Sequence, residues 1–164
     1  MGPEVTLMQE SETRTASLKL METTWAVYLS TIDESGFPPT RAMENLRNTK
    51  RFPKLENFFK QHSDKFWILL STNTSSAKIQ HIKKNPAVCA YYCRPREYSG
   101  LALRGTAEIV EDRRLKEAVW HDYWTRYYPK GVTDPDYTVL SLHPAQCEGW
   151  GKSQRFFFSP EDKK

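Results

Sequence analysis

The spacing of apolar and polar positions changes period several times along the chain, and each change predicts an element. Over residues 13–22 (TRTASLKLME) Ala16, Leu20 and Met21 recur at helical spacing, which predicts a short amphipathic helix. Residues 24–32 (TWAVYLSTI) alternate in part and are rich in β-branched and aromatic side chains, as a strand requires. Asp33-Glu34-Ser35-Gly36 reads as a turn with glycine placed for positive φ. A return strand follows Pro38-Pro39 and runs from Thr40 to Leu46, so the two strands form a hairpin. On the return strand Arg41, Met43 and Asn45 share one face, and Ala42, Glu44 and Leu46 the other. A basic linker, 47–51, leads to a short helix near 54–62 that buries Leu55, Phe58 and Phe59.

The run Phe66-Trp67-Ile68-Leu69-Leu70 predicts a buried strand. It gives way to hydroxyl and amide residues, Ser71 to Ser75, and then to a helix that carries Ser76 and Lys78 on its first turn and ends before Asn85-Pro86. Residues 87–93 predict a fourth strand and 94–97 a turn. Residues 98–110 are long for one strand, and Gly100 and Gly105 suit the bend of a closed sheet, which points to a barrel. Leu115, Val119 and Tyr123, with Trp120 and Trp124 beside them, predict one amphipathic helix over 112–127. After a loop at 131–135, residues 136–150 alternate again as a sixth strand, interrupted at His143-Pro144. Phe156, Phe157 and Phe158 are expected to pack against the domain or a second subunit.

At 164 residues the chain is one domain, 1–164, with flexible ends expected at 1–12 and 159–164. No apolar run approaches the roughly 20 residues of a membrane helix. The first residues lack the basic-then-apolar profile of a secretion signal, so a cytoplasmic protein is expected. The net charge of +4 is spread among acids, as in Asp112 to Glu117, rather than gathered into a basic run, which argues against nucleic acid as a partner. Three cysteines and four histidines are scattered without the spacing of a metal site, so no metal is expected.

Candidate chemistry sits at the junction after the third strand. A strand that runs into a polar turn and a helix start leaves backbone N–H groups without intrahelical partners, here beside hydroxyls and the Lys78 ammonium. That arrangement suits a phosphate. It also suits an ordinary helix start, with Ser75 or Ser76 as N-cap and Lys78 solvated. Two other motifs fail: Gly151-Lys152-Ser153 lacks the upstream glycine of a nucleotide P-loop, since position 146 is Gln. His121 and Asp122 are neighbours on a predicted helix and do not face each other.

The segments TRAM (40–43), STNTSSAK with IKKNP (71–86), LRGTAEIVED (103–112) and the stretch from Trp120 to Trp150 together resemble the pyridoxamine-phosphate-oxidase-like superfamily, in its general-stress flavoprotein branch. The resemblance implies a mainly β fold with flanking helices, a six-stranded antiparallel split β-barrel, and a homodimer with flavin mononucleotide (FMN) at the subunit interface. It implies that Arg41 reaches the flavin phosphate, that Ala42 and Met43 follow on the strand lining the isoalloxazine, and that Ser71 and Thr72 lie against the ring or ribityl chain. Ser76 and Lys78 would hold the phosphate, and Trp150 would approach from the partner chain. The resemblance implies an FMN-binding protein that acts as a flavin-dependent oxidoreductase of unknown substrate, with no catalytic residue nominated. The alternatives are a flavin-binding stress or sensor protein without turnover, or a barrel holding a deazaflavin or haem. Ala77, Leu46 and Gly100 stand where pyridoxamine-phosphate oxidase itself has Arg, Lys and Gln, so the resemblance does not extend to that enzyme's reaction.

Overall fold

The computed structural model describes residues 10–151 and 154–160; the predicted flexible ends and the Gly151-Lys152-Ser153 motif fall in large part outside them. In chain order the elements are α1 (Glu10–Thr23), β1 (Ala26–Thr31), β2 (Thr40–Glu44), α2 (Pro53–Gln61), β3 (Ile68–Asn73), α3 (Ala77–Lys84), β4 (Ala87–Arg94), β5 (Ser99–Ile109), α4 (Arg113–Val119), β6 (Tyr137–Gly151) and β7 (Gln154–Phe158). The strands hydrogen-bond antiparallel in the order β2-β1-β4-β5-β6-β3. β2 and β3, the two ends of that path, come into contact, so the six strands form the nearly closed antiparallel barrel that the sequence led one to expect.

Closure depends on glycine at the bend. The register of β5 against β6 shifts between Arg104 and Gly105, where a side chain on residue 105 would collide with the His143 carbonyl. The first hairpin turns at Gly36, whose φ is +82°, with Asp33 Oδ1 accepting from the N–H groups of Ser35 and Phe37 at 2.9 Å.

The apolar run before the polar turn is continuous because both faces of β3 are buried. Phe66, Ile68 and Leu70 join the barrel interior with Val27, Leu29, Leu103 and Leu142, while Trp67 and Leu69 face a second core with Phe59, Val119, Trp124 and Tyr137. α1 adds Leu20 and Met21 to the barrel interior, and α3 adds Ile79 and Ile82.

Two elements differ from expectation. The single helix predicted over 112–127 is broken: α4 stops at Val119, Trp120 is extended, and a 3-10 turn covers Asp122–Arg126. The break advances the buried position from Tyr123 to Trp124, which is 2% exposed and donates from Nε1 to Glu44 Oε2 at 2.7 Å. Trp120, Trp124 and Tyr128 gather round the Tyr137 ring at centroid distances of 5.0, 6.0 and 5.2 Å. The aromatic tail also forms a seventh strand. β7 takes the edge of β6 beyond the part paired with β3, and Phe158 packs on Phe66 at 5.1 Å.

Candidate cofactor site

The polar stretch after β3 divides into a clamped part and an open part. Ser71 and Thr72 complete the strand, paired with Val139 and Thr138. The turn beyond them is held by Asp136, whose carboxylate accepts from Asn73 Nδ2 at 2.6 Å and from the Ser75 N–H at 2.8 Å, while its carbonyl accepts from the Thr74 N–H at 2.7 Å. These bonds, that from Asn73 foremost, hold the Asp136 carboxyl below the usual range. Sequence reasoning assigned Asp136 only to the start of a strand. Its signal was present, since an aspartate beside a proline loop is a common turn clamp.

Ser76 occupies the N-cap of α3 in extended conformation, yet its side chain makes no capping bond. Its Oγ is buried and has no hydrogen-bond partner among the described residues. A buried hydroxyl without a partner carries a cost of about 1–3 kcal/mol that an acceptor or donor at this point would remove. The adjacent N–H groups of Ala77 and Lys78, on the first turn of α3, have no intrahelical acceptor by construction.

Two cations converge here. Lys78 Nζ donates to the buried Thr72 Oγ1 at 2.9 Å. Arg41, on β2, donates from one terminal nitrogen to the Leu29 carbonyl at 3.0 Å and to Thr31 Oγ1 at 2.9 Å. Thr31 Oγ1 also meets His81 Nδ1 at 2.9 Å, so β1 links the guanidinium to α3. Thr31 and His81 were not singled out in the sequence, where neither sits in a motif. Burial pushes the Lys78 ammonium below its ordinary pKa and the Arg41 charge pushes it further; burial alone lowers Arg41. Neither cation has a carboxylate partner among the described residues.

Arg41, Thr72, Ser76 and Lys78 thus meet at one corner of the barrel, with Ser71 beside them on β3. Met43 packs against the barrel interior, and Ala42 is exposed on the opposite face of β2. Trp150 stands apart, at the opposite end of β6 from Thr138, the residue paired with Thr72. It stacks on Tyr91 at 5.4 Å. Gly100 leaves room for that stack: a Cβ there would strike the Tyr91 hydroxyl and come within 2.9 Å of Trp150. The residues present therefore suit a phosphorylated ligand, through two cations, a free hydroxyl and an open helix start.

The chain matches the family described as Pyridoxamine 5'-phosphate oxidase like over residues 57–160. No curated protein matches it in sequence. Among solved structures it is similar to a Clostridium acetobutylicum protein related to general stress protein 26 of B. subtilis, of the pyridoxinephosphate oxidase family: 31% identity over 92% of this chain and 96% of that one, with a TM-score of 0.74. It shares its fold with general stress protein 26 of Bacillus anthracis, at 21% identity, 93% and 99% coverage and a TM-score of 0.67. No helix among the described residues is long and apolar enough to cross a membrane. With a nearly closed antiparallel barrel, a phosphate-ready corner and these matches in hand, the chain belongs to the pyridoxamine 5'-phosphate oxidase-like family.

Proposed function

We propose that the chain binds FMN and serves as a flavin-dependent oxidoreductase whose substrate is other than pyridoxamine phosphate. The phosphate would be held by Arg41, Lys78, Ser76 Oγ and the N–H groups that open α3. The observation that carries this reading is a pair of half-buried cations that have no carboxylate partner among the described residues, set round a buried hydroxyl that has no hydrogen-bond partner among them. A phosphate dianion supplies both the counter-charge and the acceptors that this corner lacks. Met43, Ser71 and Thr72 would support the ring and ribityl chain. Trp150 lies at the far end of β6, so its approach to the same flavin requires a second copy of the chain and a homodimer with the flavin at its interface. Once bound, the flavin supplies the electron-transfer chemistry, and the protein supplies position and electrostatics.

A fluorescence titration comparing FMN with riboflavin tests the corner directly, because the two differ by the phosphate alone. FMN should bind roughly 100-fold more tightly, as two charge-assisted contacts imply. Equal affinities would remove the proposed site. Bleaching of bound flavin by a reduced nicotinamide cofactor then tests turnover, and a flavin that stays oxidised under anaerobic excess of that donor would favour a flavin-binding protein without this activity.

A further inference from the structure

Thr31 closes β1 with no exposed surface, so its hydroxyl proton needs an acceptor within the protein. Two polar side chains meet that hydroxyl among the described residues, Arg41 through Nη1 and His81 through Nδ1, each at 2.9 Å. A guanidinium can only donate. The Thr31 oxygen therefore accepts from Arg41, and its own proton is left for His81. An Nδ1 that carried a hydrogen would aim a second donor at the same oxygen and leave the buried O–H without an acceptor, at the cost of a hydrogen bond. The order of donation that satisfies all three groups runs from Arg41 to Thr31 to His81, with the imidazole neutral and its proton on Nε2.

We infer that His81 is a positioning residue of the phosphate corner: its Nδ1 takes the Thr31 proton, which turns the Thr31 oxygen toward Arg41 and fixes the guanidinium with one edge presented to the ligand. The inference rests on the flavin reading above and adds to it the group that aims Arg41. Both hydrogens of Arg41 Nη1 are engaged by anchors, one at Thr31 and one at the Leu29 carbonyl at 3.0 Å. The edge that remains, Nε with Nη2, is a planar fork suited to two oxygens of one phosphate, and it has no partner among the described residues. α3 governs both cations. It carries Lys78 into the corner directly and His81 three residues later, on the same side of the helix. Ile79 and Ile82 seal α3 into the barrel interior and so hold His81 against the end of β1. His81 acts through Thr31 and Arg41 rather than by touching the ligand.

The ratio of FMN to riboflavin affinity reads the phosphate grip alone, because any effect on the ring divides out. His81→Leu, which offers no acceptor, should lower that ratio about five-fold. His81→Asn, whose Oδ1 falls where Nδ1 stood, should keep it within about two-fold of the wild type. In an Arg41→Ala background His81→Leu should change the ratio no further, since no guanidinium is left to aim. A long-range proton–nitrogen correlation spectrum of the wild type at mildly alkaline pH, with the His81 signals identified by their loss in His81→Asn, should show the proton on Nε2. The inference is overturned by a proton on Nδ1, by an equal loss in the Leu and Asn variants, by no loss in either, or by a loss that persists without Arg41. Any of these beside a wild type that prefers FMN leaves the flavin reading in place. Equal affinity of the wild type for FMN and riboflavin removes that reading, and this inference with it.

Discussion

Arg41 and Arg47 lie at either end of the same short stretch of chain, β2 and the turn after it, and both guanidinium groups are depressed in pKa by burial. Their surroundings separate them. Arg47 is 5% exposed, donates to the Trp67 carbonyl at 2.7 Å and lies over the Phe59 ring at 4.7 Å. It spans the seam where β2 meets β3, and its neighbours are an aromatic face, a carbonyl and the buried Tyr92. Arg41 is only half-buried, and the group that faces it is another cation, Lys78. The Arg47 charge is answered from within the fold, by the Phe59 face, the Trp67 carbonyl and the nearby Glu22 and Asp64 carboxylates, although its buried Nε has no hydrogen-bond partner among the described residues. Arg41 and Lys78 meet only neutral acceptors and no carboxylate among the described residues, so the balance of their charge has to come from outside the fold. That contrast distinguishes a structural arginine from a binding arginine more sharply than burial does.

The contrast breaks most visibly if each arginine is removed. Arg47→Ala should cost roughly 3 kcal/mol in urea denaturation, by losing the bond across the seam and the packing against Phe59. Arg47→Met, which keeps the stem on the ring, should cost clearly less. Neither should change the preference for FMN over riboflavin. Arg47 thus provides the control: a loss of flavin preference in Arg47→Met would show that the seam and the corner are not separate.

Arg41→Ala and Lys78→Ala should each weaken FMN by about 1.5–3 kcal/mol, roughly 10- to 100-fold, with little effect on urea stability without ligand. The sum of the two single losses should exceed the loss in the double variant, because both cations act on one phosphate. Strict additivity would place them on different ligand groups. Thr31→Val comes next in size. It keeps the shape but removes the oxygen that holds Arg41 and meets His81, and should cost about 1 kcal/mol in FMN affinity.

Most of this architecture was legible because local signals and tertiary demand agree. β1 and β4 alternate, the turn glycine has positive φ, and the bend falls at Gly105. The break after Val119 was not legible, because Leu115, Val119 and Tyr123 and the neighbouring stripe Trp120, Trp124 and Tyr128 both recur at helical spacing, and the packing of those three aromatics round Tyr137 decides between them. At the corner, the run of hydroxyls concealed a division of labour. Asn73, Thr74 and Ser75 serve the Asp136 clamp, while the buried Ser76 Oγ has no partner among the described residues, a division that depends on a residue remote in sequence. Trp150 shows the limit from the other side. Its place on β6 was predicted, but its stack on Tyr91 across Gly100 arises only from the pairing of three strands.

The smallest effect concerns the cost of holding Lys78 beside Arg41. The folded-state pKa of Lys78 is lowered from 10.5, by burial first and by Arg41 second. Between the depressed value and 10.5 the unfolded chain binds more protons than the folded one, so the wild-type protein without ligand gains stability from this group as pH rises. The gain is complete above the unfolded pKa and is lost as pH falls through the folded one. Lys78→Met cannot titrate, so the stability of the wild type relative to this variant should increase from pH 7 toward pH 10. The increase should stay under about 1 kcal/mol, because a half-exposed ammonium is screened by solvent. Thermal melts of the two proteins in parallel read the difference, in which the titration of the tyrosines and cysteines cancels. With saturating FMN the sign should reverse. The phosphate favours charged Lys78, so the advantage of the wild type is then greatest at neutral pH and shrinks as the ammonium loses its proton. A difference that is flat with pH in both states would mean that Arg41 and Lys78 do not sense one another, and the corner would then hold two separate surface cations rather than a site.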